Sequence, residues 1–239
     1  MALQHHKIIK SEKKKSPRKK LGIVAVANGD GIKSLFREMG ADEIIEGGQT
    51  GNPSSKEFID AFESVNAENI IVLPNNPNII LTAEQAKEIY KDSKVYVIKT
   101  HSFTEGNAAL ALINPFFEDI DEMLNDVNEG ISEVVNVSVA QATKDAVIDS
   151  KVIKTGDYLG MIEKDIVTVN PDRKEALMEL ISEVPDIKDK ELCTLFSGKD
   201  VPEDELTIIK ERISKMYQDI ELVCYEGGQN VYSYLISFE

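Results

Sequence analysis

The 239-residue chain has no tryptophan, only two cysteines and only three histidines. Cys193 and Cys224 are not in C-x-x-C spacing, which excludes a disulfide framework and a zinc ribbon. No apolar run approaches the ~18–20 residues a membrane helix needs, so no stable membrane insertion is expected. The N-terminus lacks the apolar stretch of a secretory signal. These absences predict a soluble, cytoplasmic protein. Hydrophobic residues make up 42% of the chain, enough to bury a core and to exclude general disorder. The length suits one large domain or two small ones.

Charge is unevenly spread. Residues 1–20 carry seven lysines and Arg18 against Glu12 alone, a charge of +7, which leaves −22 on residues 21–239 of a chain whose total is −15. An acidic body repels phosphate backbones, so no nucleic-acid partner is expected. The basic run, with Pro17, reads as a flexible linker over 1–20. Such a linker at the very start suggests the C-terminal part of a longer protein.

From Leu21 the sequence alternates strand and helix. Leu21–Ala27 and Asn69–Leu73 are short β-branched runs and read as buried strands, with Asp42–Glu46 and Val95–Ile98 as two more. Ile32, Leu35, Phe36 and Met39 recur at helical spacing, as do Phe58, Phe62 and Val65 after a Ser54 or Ser55 cap. Thr82 is expected to cap a helix through Ala86 and Ile89. This order implies a parallel sheet with helices on both faces. Phe116 to Ile131 reads as one long helix joining two halves.

Beyond it, Val135, Val137 and Val139 alternate with polar residues, and Lys151–Lys154, Tyr158–Ile162 and Asp165–Val169 read as an antiparallel meander. A helix after Asp172, a strand over Glu191–Phe196, a helix over Glu203–Tyr217 and strands over Ile220–Tyr225 and Val231–Phe238 complete the chain. The predicted fold is α/β and two-lobed, with a parallel α/β lobe over 21–128 and a mixed α+β lobe over 129–239. A β-α-β unit ending in Glu46-Gly47-Gly48-Gln49 is echoed by one ending in Glu226-Gly227-Gly228-Gln229.

Polar residues cluster where parallel strands should end. Gly47, Gly48, Gln49, Thr50, Asn52 and Ser54 lie between a strand and a helix start, a setting that suits a carboxylate or phosphate. Asn75 with Asn76, and Thr100 with His101 and Ser102, fall at the same expected edge, where open α/β sheets bind ligands. Asn28, before Gly29, is a weaker anion-loop candidate. Gly198-Lys199 is followed by Asp200 and does not complete a phosphate loop. His101 is the only histidine outside the tail, and no G-x-S-x-G elbow accompanies it. No carboxylate cluster has metal-ligand spacing, so no metal is expected.

Three stretches together carry a resemblance: Glu46 to Ser55, Leu73-Pro74-Asn75-Asn76-Pro77-Asn78, and Thr100-His101-Ser102. With the ending Glu226-Gly227-Gly228-Gln229 … Tyr232-Ser233-Tyr234, they resemble the C-terminal domain of the bacterial fatty acid kinase protein that is related to dihydroxyacetone kinase. Gly51 departs from the methionine expected there. The resemblance covers roughly 21–239 and implies a DegV-like fold. It also implies that the ATP and magnesium sites belong to a separate kinase domain, leaving this chain without cofactor. The partners it implies are a DegV-like fatty-acid-binding protein and the kinase and dimerising domains of the same polypeptide.

In DegV-like proteins a Ser-Gln-Pro-Ser loop and a Ser-Gly-Thr segment hold the acyl carboxylate, and a histidine lies near the C-terminal part. Gln49 to Ser55 matches the first loop. Asn75-Asn76-Pro77 replaces the second, and Glu226 to Gln229 replaces the histidine segment. A buried Glu226 would repel a carboxylate. The resemblance therefore implies a non-catalytic module of a fatty acid kinase that docks the fatty-acid-binding protein. The alternative is a domain that holds an acyl or other anionic ligand between its lobes. An apolar tunnel ending at Thr50, Asn76 and His101 would favour the ligand, and a filled crevice would favour docking.

Overall fold

The structure, a computed structural model, describes residues 17–48 and 51–239. The predicted linker as far as residue 16, and the site candidates Gln49 and Thr50, lie outside the described residues. The first lobe runs β1 (Lys19–Ala27), α1 (Asp30–Glu38), β2 (Glu43–Glu46), α2 (Ser55–Val65), β3 (Ala67–Leu73), α3 (Pro77–Ile89) and β4 (Lys94–Val97). The helices α4 (Phe103–Leu112) and α5 (Ile120–Ser132) follow. The strands form a four-stranded parallel sheet in the order β2-β1-β3-β4.

Alternate residues of β1 feed opposite faces of the sheet, as a strand's period of two requires. Val24 and Val26 pack with Phe58 and Phe62 of α2 and Ile79 and Ala83 of α3. Ile23, Ala25 and Ala27 pack with Phe36 of α1, Ala109 of α4 and Val127 of α5. Each fully buried phenylalanine contributes on the order of 1.5–3 kcal/mol relative to exposure.

The second lobe contains β5 (Val135–Gln141), β6 (Ala146–Ile148), β7 (Lys151–Ile153), β8 (Tyr158–Ile162), β9 (Asp165–Asn170), α6 (Arg173–Ser182), β10 (Leu192–Ser197), α7 (Glu203–Met216), β11 (Glu221–Glu226) and β12 (Tyr232–Phe238). Six strands form a mixed sheet in the order β11-β10-β12-β5-β8-β9, in which only β10 and β11 pair in parallel. The β6–β7 hairpin stands apart. Leu177 of α6 and Ile209 of α7 cover this sheet. Phe196 and Leu235 belong instead to the first lobe's core, so apolar packing is continuous between the lobes.

Three boundaries and one whole helix differ from the sequence reading. Arg18, Lys19 and Lys20, assigned there to the linker, are part of the fold. Arg18 donates to the Ala67 carbonyl at 3.1 Å, β1 starts at Lys19, and the Lys20 ammonium sits 4.1 Å over the Phe117 ring. α3 starts at Pro77 under an Asn76 cap, so Thr82 lies inside the helix; proline at the first helical position was the available signal. The expected long helix from Phe116 begins at Ile120, where Asp119 accepts from the backbone N–H groups of Asp121 and Glu122; Phe116 is 86% exposed. Helix α4 was not foreseen.

Candidate functional site

The sheet order reverses between β1 and β3, which makes the gap beyond their C-terminal ends the topological switch point where such folds bind ligands. Asn28 follows β1 and Asn75 lies just beyond β3. Asn75 takes a left-handed backbone (φ 56°) and is 3% exposed. Its backbone N–H donates to Thr100 Oγ1 at 3.0 Å, and its Nδ2 donates across the gap to the Val26 carbonyl at 2.9 Å. Gly106 of α4 packs directly over it: a β-carbon there would lie 2.3 Å from Asn75 Oδ1. The protein's own side chain thus closes the switch point. Beside it, Asn28 Nδ2 donates to the Gly47 carbonyl at 3.2 Å, and a β-carbon on Gly48 (φ 143°) would meet Asn28 Nδ2 at 2.4 Å.

A polar network spans the lobes next to this gap. Ser102 caps α4, its hydroxyl accepting from the Glu105 backbone N–H at 3.0 Å. Glu105 is buried. Its Oε2 accepts from the His101 backbone N–H at 2.7 Å and lies 3.1 Å from His101 Nδ1. Asn136, on β5 in the second lobe, donates from Nδ2 to Glu105 Oε1 at 2.7 Å. Asn136 Oδ1 accepts from Ser102 and Thr104 at 2.7 and 2.6 Å, and Glu163 Oε1 accepts from the Asn136 backbone N–H at 2.8 Å. One asparagine therefore ties two hydroxyls and two carboxylates together.

The crevice around this network measures about 140 Å³. Pockets for drug-sized ligands run roughly 300–1,000 Å³. Asn75, Asn76, His101 and Ser102 line it, and Thr100 is buried beneath them. The second lobe contributes Tyr232, whose half-buried phenol is pushed up by desolvation and keeps its proton at neutral pH.

The other candidates have structural work. Asn28, Gly47 and Gly48 interlock as described. Asn52 and Ser54 are exposed, and Ser54 forms a capping box with Glu57 at the start of α2. Glu226 is exposed and does not line the crevice, so the like-charge argument made for it falls instead on buried Glu105. Gln229 is 1% exposed and donates from Nε2 to the Phe196 carbonyl at 3.1 Å. The anion loop expected at Asn28-Gly29 is closed, because the Gly227 carbonyl accepts from the backbone N–H groups of Gly31 and Ile32.

Glu105, Asn136 and Glu163 were not foreseen. Ser102-x-x-Glu105 matches a helix-start signature and was legible. Asn136 carried no signal, since it is one polar residue of an alternating strand.

The only partner of the His101 ring among the described residues is Glu105. Burial pushes the Cys193 thiol well up, and the Cys224 thiol up to about 11, so neither supplies a thiolate at neutral pH. In the Gly198-Lys199 loop, the Gly198 N–H donates to the Ser233 carbonyl at 2.7 Å and the Lys199 N–H to the Gln229 carbonyl at 2.9 Å, so these amides are not free to cradle a phosphate. Among the described residues no group of three or more His, Cys, Asp or Glu is placed to hold a metal, and no helix is long and apolar enough to cross a membrane.

A parallel four-stranded lobe joined to a mixed six-stranded lobe, with a crevice at the switch point, makes a two-lobed α/β fold similar to that of DegV family proteins. A DegV family protein from Corynebacterium glutamicum superposes with a TM-score of 0.67 at 11% identity, covering 92% of this chain and 96% of that one. The Streptococcus pneumoniae fatty acid kinase B3 protein, solved loaded with linoleic acid, gives 0.62 at 14% identity over 92% and 99%. At these identities the likeness is one of fold.

Residues 22–239 match the FakA-like C-terminal family of fatty acid kinase, and the chain belongs to it. The YloV protein of Bacillus subtilis is 37% identical over 247 residues, and a Staphylococcus haemolyticus protein is 34% identical over the same length. Each match takes in 100% of this chain and 44% of the relative, so the chain spans less than half the length of these curated relatives.

Proposed function

We propose that this chain is the non-catalytic C-terminal module of a fatty acid kinase, and that it docks a DegV-like fatty-acid-binding protein so that the acyl carboxylate reaches an ATP site elsewhere in the enzyme. Family membership supplies the kinase context. In this reading ATP and magnesium belong to the rest of the enzyme. The kinase and dimerising regions are its further partners.

One observation carries docking over direct acyl binding: the crevice at the switch point is too small for a long acyl chain. It is about 140 Å³, Asn75 bridges its inner end, and Glu105 adds a buried carboxylate to its wall, which would repel an acyl carboxylate. Native mass spectrometry of the purified chain with a C18 fatty acid tests this. The docking reading predicts the bare chain mass; a one-to-one fatty-acid adduct, lost on competition with a second fatty acid, contradicts it.

A further inference from the structure

Among the described strands, β6 and β7 alone pair only with each other. Their turn, Asp149-Ser150, takes left-handed backbone at both positions (φ 46° and 65°), the geometry of a tight two-residue hairpin. One face is anchored, since Ile153 is 2% exposed. The base is braced: Asp145 Oδ1 accepts from the Thr155 backbone N–H and hydroxyl, each at 2.7 Å, and the Asp157 carbonyl accepts from the Ala142 N–H at 2.8 Å. The other face is bare. Val147 and Val152 lie directly opposite each other across the hairpin and share that face, 70% and 66% exposed. With Ile148 they put three exposed large apolar side chains within six residues, and no other six-residue stretch among the described residues holds three. Exposed apolar residues scattered singly are ordinary, whereas a cluster of them marks an interaction surface.

The charge around the cluster is unlike that of the body. Residues 142–157 hold Lys144, Lys151 and Lys154 against Asp145, Asp149 and Asp157, a net of zero in a body that carries −22 over residues 21–239. Two of those aspartates are taken up inside the hairpin's base, Asp145 by Thr155 and Asp157 Oδ2 by the Lys154 backbone N–H at 2.8 Å. The three lysines have no salt bridge among the described residues. Such a face fits a protein surface that is apolar at its centre and carries carboxylates around it. A second copy is a poor match, because it would bring another body of charge −22 against this one. A convex ridge does not enclose a small ligand either. We propose that the β6–β7 hairpin is the element by which this chain docks the fatty-acid-binding protein, with Val147 and Val152 at the centre of the contact and the three lysines facing carboxylates of the partner. This site rests on the docking reading and adds to it the surface and its chemistry.

Calorimetric titration of the full chain with the DegV-like fatty-acid-binding protein of the same organism, without ATP, tests the site in three variants whose thermal melts are compared with wild type. Val147→Thr/Val152→Thr keeps the branched shape and the strand preference but replaces a methyl by a hydroxyl at each position. It is expected to bind about tenfold more weakly. Lys151→Glu/Lys154→Glu is expected to weaken binding about tenfold, and its remaining binding is expected to tighten as salt is raised. Leu81→Thr/Ile89→Thr alters two comparably exposed apolar residues of α3 and is expected to bind as wild type. Wild-type affinity in either hairpin variant, or an equal loss in the α3 variant, overturns the hairpin site while leaving the docking reading in place. Absence of binding by the wild-type chain itself overturns the docking reading, and the hairpin site with it.

Discussion

The carbonyl oxygen of Gly227 lies 3.1 Å from the backbone nitrogen of Gly31 and accepts its hydrogen bond. Helix α1 has no side-chain cap, so a loop of the second lobe caps a helix of the first. The two Glu-Gly-Gly-Gln segments thus have different fates. The first, as far as Gly48, leaves the parallel sheet at the C-terminal end of β2, and the one at 226–229 wedges against α1 and anchors through Gln229.

This contact leaves no room for a side chain. A β-carbon on Gly31 would lie 1.7 Å from the Glu226 carbonyl oxygen, and one on Gly29 would lie 2.4 Å from that of Gly227. Gly31→Ala is therefore expected to destabilise the chain by about 2–3 kcal/mol, read as a lower urea midpoint. An unchanged midpoint would show that the lobes separate there at little cost.

Asn136 is the second tie. Asn136→Asp would place a third carboxylate between Glu105 and Glu163, raising its own pKa in the folded state above the unfolded value. A raised carboxyl pKa contributes stability that is present at low pH and lost as pH rises through it. The variant is expected to melt closer to wild type at pH 5 than at pH 8. An offset that is the same at both pH values would contradict the placement of these carboxylates.

Glu205 predicts the opposite pH arm. Burial raises its carboxyl, but hydrogen bonds from Arg173 and Tyr234 and the charge of Arg173 outweigh burial and hold it below the usual range. The stability it contributes is present above the ordinary glutamate pKa and is lost as pH falls through the lowered one. The Arg173 and Glu205 side chains are each 12% exposed, so Glu205→Gln is expected to cost about 2–4 kcal/mol at neutral pH. Thermal melts should show that gap narrowing below about pH 4.

Much of this fold was legible because its helices are two-faced and its strands short and β-branched. Phe58, Phe62 and Val65 fall on the buried face of α2 as their spacing requires. Helix α4 escaped because it has no polar face: Phe103, Thr104, Glu105, Gly106, Ala108, Ala109 and Leu110 are all buried, so helical periodicity vanishes. The site shared that fate. The edge carrying Asn75, His101 and Ser102 followed from parallel strands, whereas Glu105 was hidden in the unseen helix and Asn136 came from the other lobe.

Ser54 separates a capping role from a binding role. It accepts from the Glu57 N–H and closes a capping box. Ser54→Ala is expected to lose about 1 kcal/mol of stability while leaving affinity for the fatty-acid-binding protein unchanged. A loss of affinity at full folding would make this loop part of the docking surface.

The most direct test of docking is a calorimetric titration of this chain with the DegV-like fatty-acid-binding protein of the same organism, without ATP. The docking account predicts one-to-one binding at micromolar Kd or tighter, weakened by added salt as expected for an acidic body. The absence of heat and of any complex at high concentration of both proteins would contradict it.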